Sequence, residues 1–370
     1  MAPTVVFIAG DPSGDRHAAG ILRALKTANP QVECTGIGGP AMSAEGFTPL
    51  MPFEPFNRMG FLEVFLHLLF FLNARRYLIS FLKKTSPACL VCVDYSGFNI
   101  PMMKSAHALG IPVVWYIAPM VWAWKKKRAA VLARYTSEIC CIFPFEVPFF
   151  KKYTENVHFA GNPVVEAMGE NDLPGGVRKE ITQPPRVALV PGSRPQEIVK
   201  NLPPMVGALR LLKEKYPGCT GVVSRYPGLP LSLFKEMCPD LEIHTGTLMD
   251  LFTGADCAII TSGTATLEAA LMGVPHVVIY KTSPFTYALF KYFLTISFIG
   301  LPNIIAGESV VPECIQETVT PENLFSLTSR YFDDRDFYES TKGRLVKIRE
   351  LLGSVRPSAY VAGLIRRYIN

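Results

Sequence analysis

The chain has 370 residues, 49% of them hydrophobic, and a formal net charge of +6. This length suggests two domains with sizeable cores. The charge excess is mild and there is no long basic arm, so we expect no nucleic-acid partner.

Short apolar runs alternate with helical patterns along the chain. We predict strands at 4–9, 89–95, 111–117 and 137–143 and again at 186–192, 219–224, 257–261 and 276–280, with helices near 17–29 and 124–134. Because the runs are apolar throughout, they favour parallel strands in sheets that are covered on both faces. The segment at 171–186, rich in Pro, Gly and charge, predicts a linker between two α/β lobes with a cleft between them.

The segment FLEVFLHLLFFLNARRYLISFL at 61–82 is strongly apolar, but Glu63, Arg75 and Arg76 interrupt it. A spanning helix needs about 20 nearly uncharged residues. We therefore predict either a core-facing helix or an interfacial helix that docks on a membrane. The N-terminus lacks the basic region and the apolar core of a signal peptide.

Nine cysteines follow no disulfide or metal-binding spacing. Cys89 and Cys92 form a C-x-x-C inside a predicted strand, with no second pair, and Cys140 and Cys141 are adjacent within another strand. We expect reduced, structural thiols and a reducing compartment, the cytoplasm.

Ligands of doubly wound sheets bind at the carboxyl ends of the strands, and the loop GDPSGD at 10–15 follows the first one. Gly10 and Gly14 would let the backbone approach a ligand, and Ser13 or Asp15 could cap the next helix. Capping does not require the further acid Asp11, which favours a functional role for it.

The loop VDYSGFN at 93–99 places Asp94 directly after a buried strand. A carboxylate in this position is either a helix cap or a general base, and the spacing alone favours neither.

Two loops of the second half are suited to anions. In VPGSRPQEI at 190–198, the peptide N–H groups, Ser193 and Arg194 converge at a helix start, which predicts a phosphate site. The alternative is a surface ion pair between Arg194 and Glu197.

The second such loop is TSGTATLEAAL at 261–271, in which Ser262, Gly263 and Thr264 form a turn at a helix start. Glu268 lies one helical turn further on the same face. It would repel a phosphate but could accept two hydrogen bonds from ribose hydroxyls, unless it is merely solvated.

These loops, in this order, resemble the lipid A disaccharide synthase family, glycosyltransferases of the GT-B fold. The resemblance runs over nearly the whole chain and also includes GIGGPAMSAEG at 36–46, RMGFLEV at 58–64, PMVWAWKKKR at 119–128, FPFE at 143–146, GNP at 161–163, YKTSPFTYAL at 280–289 and LPNIIAG at 301–307. It implies an α/β fold of two Rossmann-like, doubly wound lobes with a central cleft. Residues 1–168 would form the acceptor lobe, joined by a C-terminal helix at 355–370 that crosses back, and residues 169–354 the donor lobe.

The resemblance also implies the reaction. UDP-2,3-diacylglucosamine would donate its sugar to the 6-hydroxyl of 2,3-diacylglucosamine 1-phosphate, with inversion, giving a β-1,6-linked disaccharide 1-phosphate and UDP. No cofactor or metal would be needed, and the only D-x-D, at Asp334–Asp336, is better interpreted as solvated surface.

Residue roles follow from the same resemblance. Asp94 matches the family's essential aspartate and would be the base. Asp11 stands where the family usually carries glutamate, and as a second catalytic residue it would orient the acceptor or assist the base. Gly97 stands where relatives often carry a second aspartate. The acceptor loops would contain Gly10, Ser13, Gly14, Asp15 and Asn99, and the UDP donor would contact Ser193, Arg194, Ser262, Gly263, Thr264, Glu268 and Asn303.

Two acylated substrates would explain the apolar composition, at about 0.8 kcal/mol per buried CH₂. Candidate membrane or acyl contacts are Phe61, Val64, Phe65, Leu68, Leu69, Leu72, Trp122, Trp124, Lys125 and Arg128. For the tryptophans and the basic residues, the alternative is a core cluster beside a solvated helix end. The enzyme would lie peripherally on the cytoplasmic face of the inner membrane, and a homodimer is an assembly that the sequence leaves open.

Two other functions remain as alternatives. One is a UDP-N-acetylglucosamine 2-epimerase or a transferase with a soluble acceptor on the same fold, against which the apolar segment 61–82 argues. The other is a non-catalytic UDP-sugar-binding protein, which Asp11 and Gly97 motivate.

Overall fold

The structure is a computed structural model that describes residues 2–56, 68–124, 127–169, 184–283, 287 and 297–369, with only the backbone described for residues 123, 124 and 127. The chain divides into two compact units, Met1–Glu166 with Ser354–Asn370, and Ala167–Gly353.

The first unit contains a parallel sheet of seven strands in the order β3-β2-β1-β4-β5-β6-β7. The strands are β1 (Thr4–Ala9), β2 (Glu33–Ile37), β3 (Thr48–Pro49), β4 (Cys89–Val93), β5 (Val113–Tyr116), β6 (Glu138–Cys141) and β7 (Val157–Phe159). Its described helices up to the boundary are α1 (Pro12–Ala28), α2 (Pro40–Ala44), α3 (Leu68–Thr85), α4 (Ser96–Ala108), α5 (Val121–Trp124), α6 (Lys127–Tyr135), α7 (Glu146–Phe150) and α8 (Pro163–Met168). Separate apolar clusters pack against the two faces of the sheet.

The second unit contains a parallel sheet of six strands in the order β10-β9-β8-β11-β12-β13. The strands are β8 (Arg186–Val190), β9 (Thr220–Ser224), β10 (Glu242–His244), β11 (Cys257–Thr261), β12 (His276–Tyr280) and β13 (Glu313–Ile315). Its described helices are α9 (Pro195–Lys215), α10 (Ser232–Lys235), α11 (Leu248–Thr253), α12 (Thr264–Leu271), α13 (Leu301–Ala306), α14 (Pro321–Asp333) and α15 (Arg335–Leu352), with a 3₁₀ turn at Gln316–Thr318.

The last helix, α16 (Pro357–Arg366), belongs to the first unit. Its apolar residues Val361, Leu364 and Ile365 are buried in the same cluster as Ile21 and Leu25 of α1. The predicted fold class, two parallel α/β sheets with a returning C-terminal helix, is confirmed.

Some predicted boundaries are wrong. The first helix begins at Pro12 rather than near residue 17, because Asp11 caps it and Pro12 is suited to its first turn. The helix predicted near 124–134 is described as α5 and α6, with residues 125–126 outside the described part of the chain. All nine cysteines are buried and free, as expected of structural thiols.

Candidate active site

The first group of candidate residues lies at the carboxyl ends of β1 and β4, which are neighbours in the sheet. Asp11 is only 8% exposed and caps α1: its Oδ1 accepts hydrogen bonds from the N–H groups of Ser13 and Gly14, both at 2.9 Å. The expectation that Ser13 or Asp15 caps this helix is therefore wrong. Capping accounts for one oxygen of Asp11, and its charge still acts on its neighbours.

Asp94 lies at the end of β4 in a strained turn. Asp94 and Tyr95 both have positive φ angles, 44° and 46°, a conformation that costs of order 1–3 kcal/mol for each non-glycine residue and is concentrated at functional sites. Asp94 is exposed at the surface, and the neighbouring protein nevertheless partly desolvates its carboxyl group. This desolvation, together with the negative charge of Asp11, raises the pKa of Asp94 to about 6, while a hydrogen bond from the Tyr95 backbone opposes the rise.

The strained turn is held by two residues of the same loops. Gly10 is required because a Cβ atom there would lie 2.4 Å from the ring of Tyr95, whose hydroxyl donates to the carbonyl of Phe56 at 2.9 Å. Asn99 is fully buried, and its side-chain NH₂ group donates to the carbonyl of Asp94 at 2.8 Å, with longer contacts to those of Ile8 and Val93. Asn99 thus joins β1, β4 and the Asp94 turn.

Asp15 has a supporting role that the sequence did not suggest. It is buried, and its carboxylate accepts hydrogen bonds from the N–H groups of Gly39, Ala41 and Met42 at 2.7–3.1 Å. It therefore fixes the loop after β2. The exposed hydroxyl of Ser13 lies 3.1 Å from Nε2 of His17, whose pKa burial lowers to about 4.

The second group lies at the carboxyl ends of β8, β11 and β12. In the loop after β8, a carboxylate of the chain itself occupies the predicted anion site. Glu197 Oε2 accepts hydrogen bonds from the N–H groups of Ser193 and Arg194 at 2.9 and 3.2 Å, and its Oε1 lies 2.9 Å from the Arg194 guanidinium. The side chain of Arg194 remains 62% exposed. The ion pair that the sequence left as an alternative is present, and the same groups are those that would bind a phosphate.

The turn after β11 lies next to the loop after β8, because β11 and β8 are neighbours in the sheet. The Ser262 hydroxyl donates to the carbonyl of Ile299 at 2.7 Å, whereas Gly263 and Thr264 are exposed at the start of α12. The first N–H groups of a helix have no partners within the helix. Glu268 lies half-buried in the next turn.

Asn303 is fully buried behind this turn, and its hydrogen bonds are all internal. Its NH₂ group donates to the Val311 carbonyl and to Glu313 Oε1, and its oxygen accepts from the N–H groups of Val310 and Val311, all at 2.7–2.9 Å. Glu313 in turn accepts from the N–H groups of Ile299 and Gly300. Both N–H groups and two acceptor positions of the Asn303 amide are therefore in use within the protein.

The apolar segment is described from Leu68 onward, as α3. One face of the helix is buried through Ala74, Leu78 and Leu82, whereas Leu68, Leu69 and Leu72 are 47%, 75% and 39% exposed. Phe61, Val64, Phe65 and Lys125, and the side chain of Trp124, lie outside the described part of the chain; Arg128 is exposed. No helix among the described residues is long and apolar enough to cross a membrane.

The residues at Asp333–Asp336 form no isolated acidic motif. Asp333 pairs with Lys215 at 2.6 Å, and Asp334 caps α15 by accepting from the Phe337 N–H at 2.9 Å. Among the described residues, no group of three or more His, Cys, Asp or Glu side chains is placed to hold a metal ion.

Two parallel α/β sheets with strand-end loops and a returning C-terminal helix define the GT-B fold, to which glycosyltransferases and sugar-nucleotide epimerases belong. Solved structures of similar fold include the S. aureus MnaA–UDP complex (TM-score 0.64, 13% identity, 100% of this chain and 97% of that one) and the calicheamicin glycosyltransferase CalG4 (TM-score 0.62, 15% identity, 99% and 98%). A UDP-GlcNAc 2-epimerase from Neisseria meningitidis bound to UDP-GlcNAc is equally similar (TM-score 0.63, 13% identity, 99% and 100%).

The family model described as lipid-A-disaccharide synthetase matches residues 5–359. The lipid-A-disaccharide synthase of Geobacter metallireducens is 34% identical over 98% of this chain and 96% of its own length, and that of Coxiella burnetii (strain CbuG_Q212) is 32% identical over 99% and 98%. The chain belongs to the lipid-A-disaccharide synthase family. It is an enzyme, a glycosyltransferase of lipid A biosynthesis, and the predicted family and enzyme class are confirmed.

Proposed function

We propose that the enzyme transfers the sugar of UDP-2,3-diacylglucosamine to the 6-hydroxyl of 2,3-diacylglucosamine 1-phosphate, and that Asp94 is the general base. The observation that carries this assignment is the strained turn after β4, in which Asp94 has a pKa raised to about 6 by desolvation and by Asp11. A base with a pKa just below neutral is ionised at pH 7 and still takes up a proton effectively.

In this reaction the Asp94 carboxylate takes the proton of the acceptor 6-hydroxyl. The hydroxyl oxygen attacks C1 of the donor sugar from the face opposite the diphosphate, and the bond between C1 and the phosphate oxygen breaks. The α-linked donor becomes a β-linked product, and UDP leaves with the electron pair. Asp11 contributes by its charge, which keeps the pKa of Asp94 high enough for this task.

The leaving diphosphate would be stabilised in the second unit. Arg194 and the N–H groups of Ser193 and Arg194 already bind one anion, the Glu197 carboxylate. A diphosphate carries more negative charge and would displace that carboxylate from them. The exposed turn at Gly263 and Thr264 would hold the second phosphate, and Glu268 would accept hydrogen bonds from the ribose hydroxyls.

Ser262 and Asn303 would support these contacts from behind, since both are engaged within the protein. No metal is assigned to the diphosphate, because a guanidinium and helix N-termini can provide the positive potential.

Helix α3 would contact the acyl chains of the substrates and the membrane. Leu68, Leu69 and Leu72 expose a continuous apolar surface on the first turns of the helix, and Arg75 and Arg76 follow on the same helix. This combination suits a peripheral position on an anionic bilayer, which for this biosynthesis would be the cytoplasmic face of the inner membrane.

The test of the proposed base is Asp94→Ala. We expect this variant to form no disaccharide while it binds UDP as the wild type does. Asp336→Ala is the matched control, because it removes a carboxylate from the start of α15 and should leave turnover unchanged. Unchanged turnover in Asp94→Ala would remove Asp94 as the base.

A further inference from the structure

A buried glutamate at the carboxyl edge of the first sheet takes no part in the proposed reaction. Glu146, at the start of α7, is fully buried. Its Oε1 accepts a hydrogen bond from the Trp122 indole N–H at 3.0 Å, and its Oε2 accepts from the N–H groups of Ile142 and Phe143 at 3.2 and 3.1 Å. All three groups that face this carboxyl are donors, so both of its oxygens act as hydrogen-bond acceptors.

The glutamate fixes the orientation of an aromatic ring that stays partly exposed. Trp122 is half-buried, and its ring meets that of Phe145 edge-on, with the centroids 5.0 Å apart. Phe145 in turn stacks on Phe143 at 5.5 Å. The indole is therefore held from one side by a hydrogen bond and from another by an aromatic contact, and the residue stays partly exposed.

This ring belongs to the same edge of the sheet as Asp94. β5 lies beside β4 and β6 lies beside β5, and the Asp94 N–H donates to the carbonyl of Tyr116 at the end of β5. Trp122 follows β5, and Glu146 follows β6. β5 is one strand spacing, about 5 Å, from β4, so the loop that contains Trp122 and the loop that contains Asp94 are neighbours at this edge of the sheet.

We propose that Trp122 is a stacking surface for the hexose ring of the acceptor, and that Glu146 is the positioning residue that holds the indole in place. The inference rests on the proposed transfer reaction and adds to it the means by which the acceptor hydroxyl is held in front of Asp94. An aromatic face offers a rigid apolar surface to the C–H groups of a sugar, and rigidity matters because a flexible contact would not align one hydroxyl with the base.

A sugar is favoured over an acyl chain by the way the ring is fixed. Acyl chains adapt to loosely packed apolar surface, whereas here a fully buried carboxyl group orients one ring. Burial raises the pKa of Glu146 to about 7, against the effect of its three N–H donors. The protein thus retains a carboxylate where an apolar residue would be easier to bury.

The test measures KM for each substrate in Trp122→Ala, Trp122→Phe and Glu146→Gln. We expect Trp122→Ala to raise the acceptor KM about tenfold, with the donor KM within about twofold of wild type. Trp122→Phe, which keeps a ring but lacks the N–H, should raise it less. Glu146→Gln places an NH₂ group against N–H donors, so it should raise the acceptor KM in the wild-type background and have no further effect in Trp122→Phe.

Glu138→Gln is the matched control. Glu138 is a buried glutamate at the start of β6, the strand that precedes Glu146, and it contacts His158 and Tyr368 at 2.6 and 3.1 Å. Glu138→Gln should leave the acceptor KM unchanged. Equal rises in both KM values, or an acceptor KM that Trp122→Ala does not change, would overturn the inference. So would an effect of Trp122→Ala that grows with acyl-chain length, because that would show an acyl contact. If the wild type forms no disaccharide at all, the proposed reaction itself is wrong.

Discussion

The coupling between Asp11 and Asp94 can be tested by removing one charge with little change in structure. In Asp11→Asn the amide oxygen can still accept from the Ser13 and Gly14 N–H groups, and asparagine caps helices about as well as aspartate. The second cause of the raised pKa of Asp94 is then absent, while desolvation, the first cause, remains. We expect the pKa of Asp94 to fall by about one pH unit, at the lower end of the effect of a nearby charge.

The assay is the pH dependence of kcat/KM, with each profile normalised to its own plateau. Asp94 must be ionised to act as the base, so activity falls as the pH drops through its pKa of about 6. At pH 5 about a tenth of the wild-type sites would be active and about half of the variant sites, roughly a fivefold difference in the retained fraction. If the pH at which kcat/KM falls on the acidic side is the same in Asp11→Asn and in the wild type, then either this fall does not reflect the ionisation of Asp94 or Asp11 does not affect the pKa of Asp94.

Three further predictions concern the donor and the membrane. Arg194→Ala should weaken UDP binding, measured by calorimetry, by about 1.5 kcal/mol, which is the lower end for hydrogen bonds to charged groups because the side chain is exposed. Glu197→Gln should tighten UDP binding, because it removes the charge that competes with the diphosphate. An unchanged UDP affinity in Arg194→Ala would leave Arg194 as a surface residue only. Glu268→Gln should discriminate less than wild type between UDP and its 2′-deoxy analogue, and equal discrimination would refute the ribose contact. Leu69→Ser should weaken binding to anionic vesicles by roughly 1–2 kcal/mol. The control Val346→Ser, which also replaces an exposed aliphatic side chain by serine but on α15, should leave vesicle binding unchanged. Equal binding of both variants would argue against docking through α3.

The central strands could be predicted from the sequence because their burial is complete. β4 and β11 are buried at every position, and they contain the uninterrupted apolar runs at 89–93 and 257–260. The edge strands β3, β10 and β13 have only two or three residues and are partly exposed. Such short strands carry no periodic signal, and only pairing with a neighbour defines them.

The site could be predicted as far as local chemistry determines it. A strand followed by Asp94, or by Ser193 and Arg194, places these residues at the carboxyl edge of a parallel sheet, where ligands of such folds bind. The role of Asp15 depends on hydrogen-bond partners 24 or more residues away, and that of Asn303 depends on the burial of its amide. Residue spacing in the sequence reveals neither. Glu146 was visible only as part of the motif FPFE, because nothing in the sequence indicates that its partner is Trp122.

The most direct measurement of the central claim is the product balance of the purified enzyme with UDP-2,3-diacylglucosamine and 2,3-diacylglucosamine 1-phosphate in detergent, with and without EDTA. UDP is quantified together with the disaccharide, and NMR determines the configuration of the new linkage. We predict equal amounts of UDP and a β-1,6-linked disaccharide 1-phosphate, unaffected by the chelator. UDP without disaccharide, or an α-linked product, would contradict inverting transfer to this acceptor, and loss of activity in EDTA would contradict a diphosphate site made of protein groups alone.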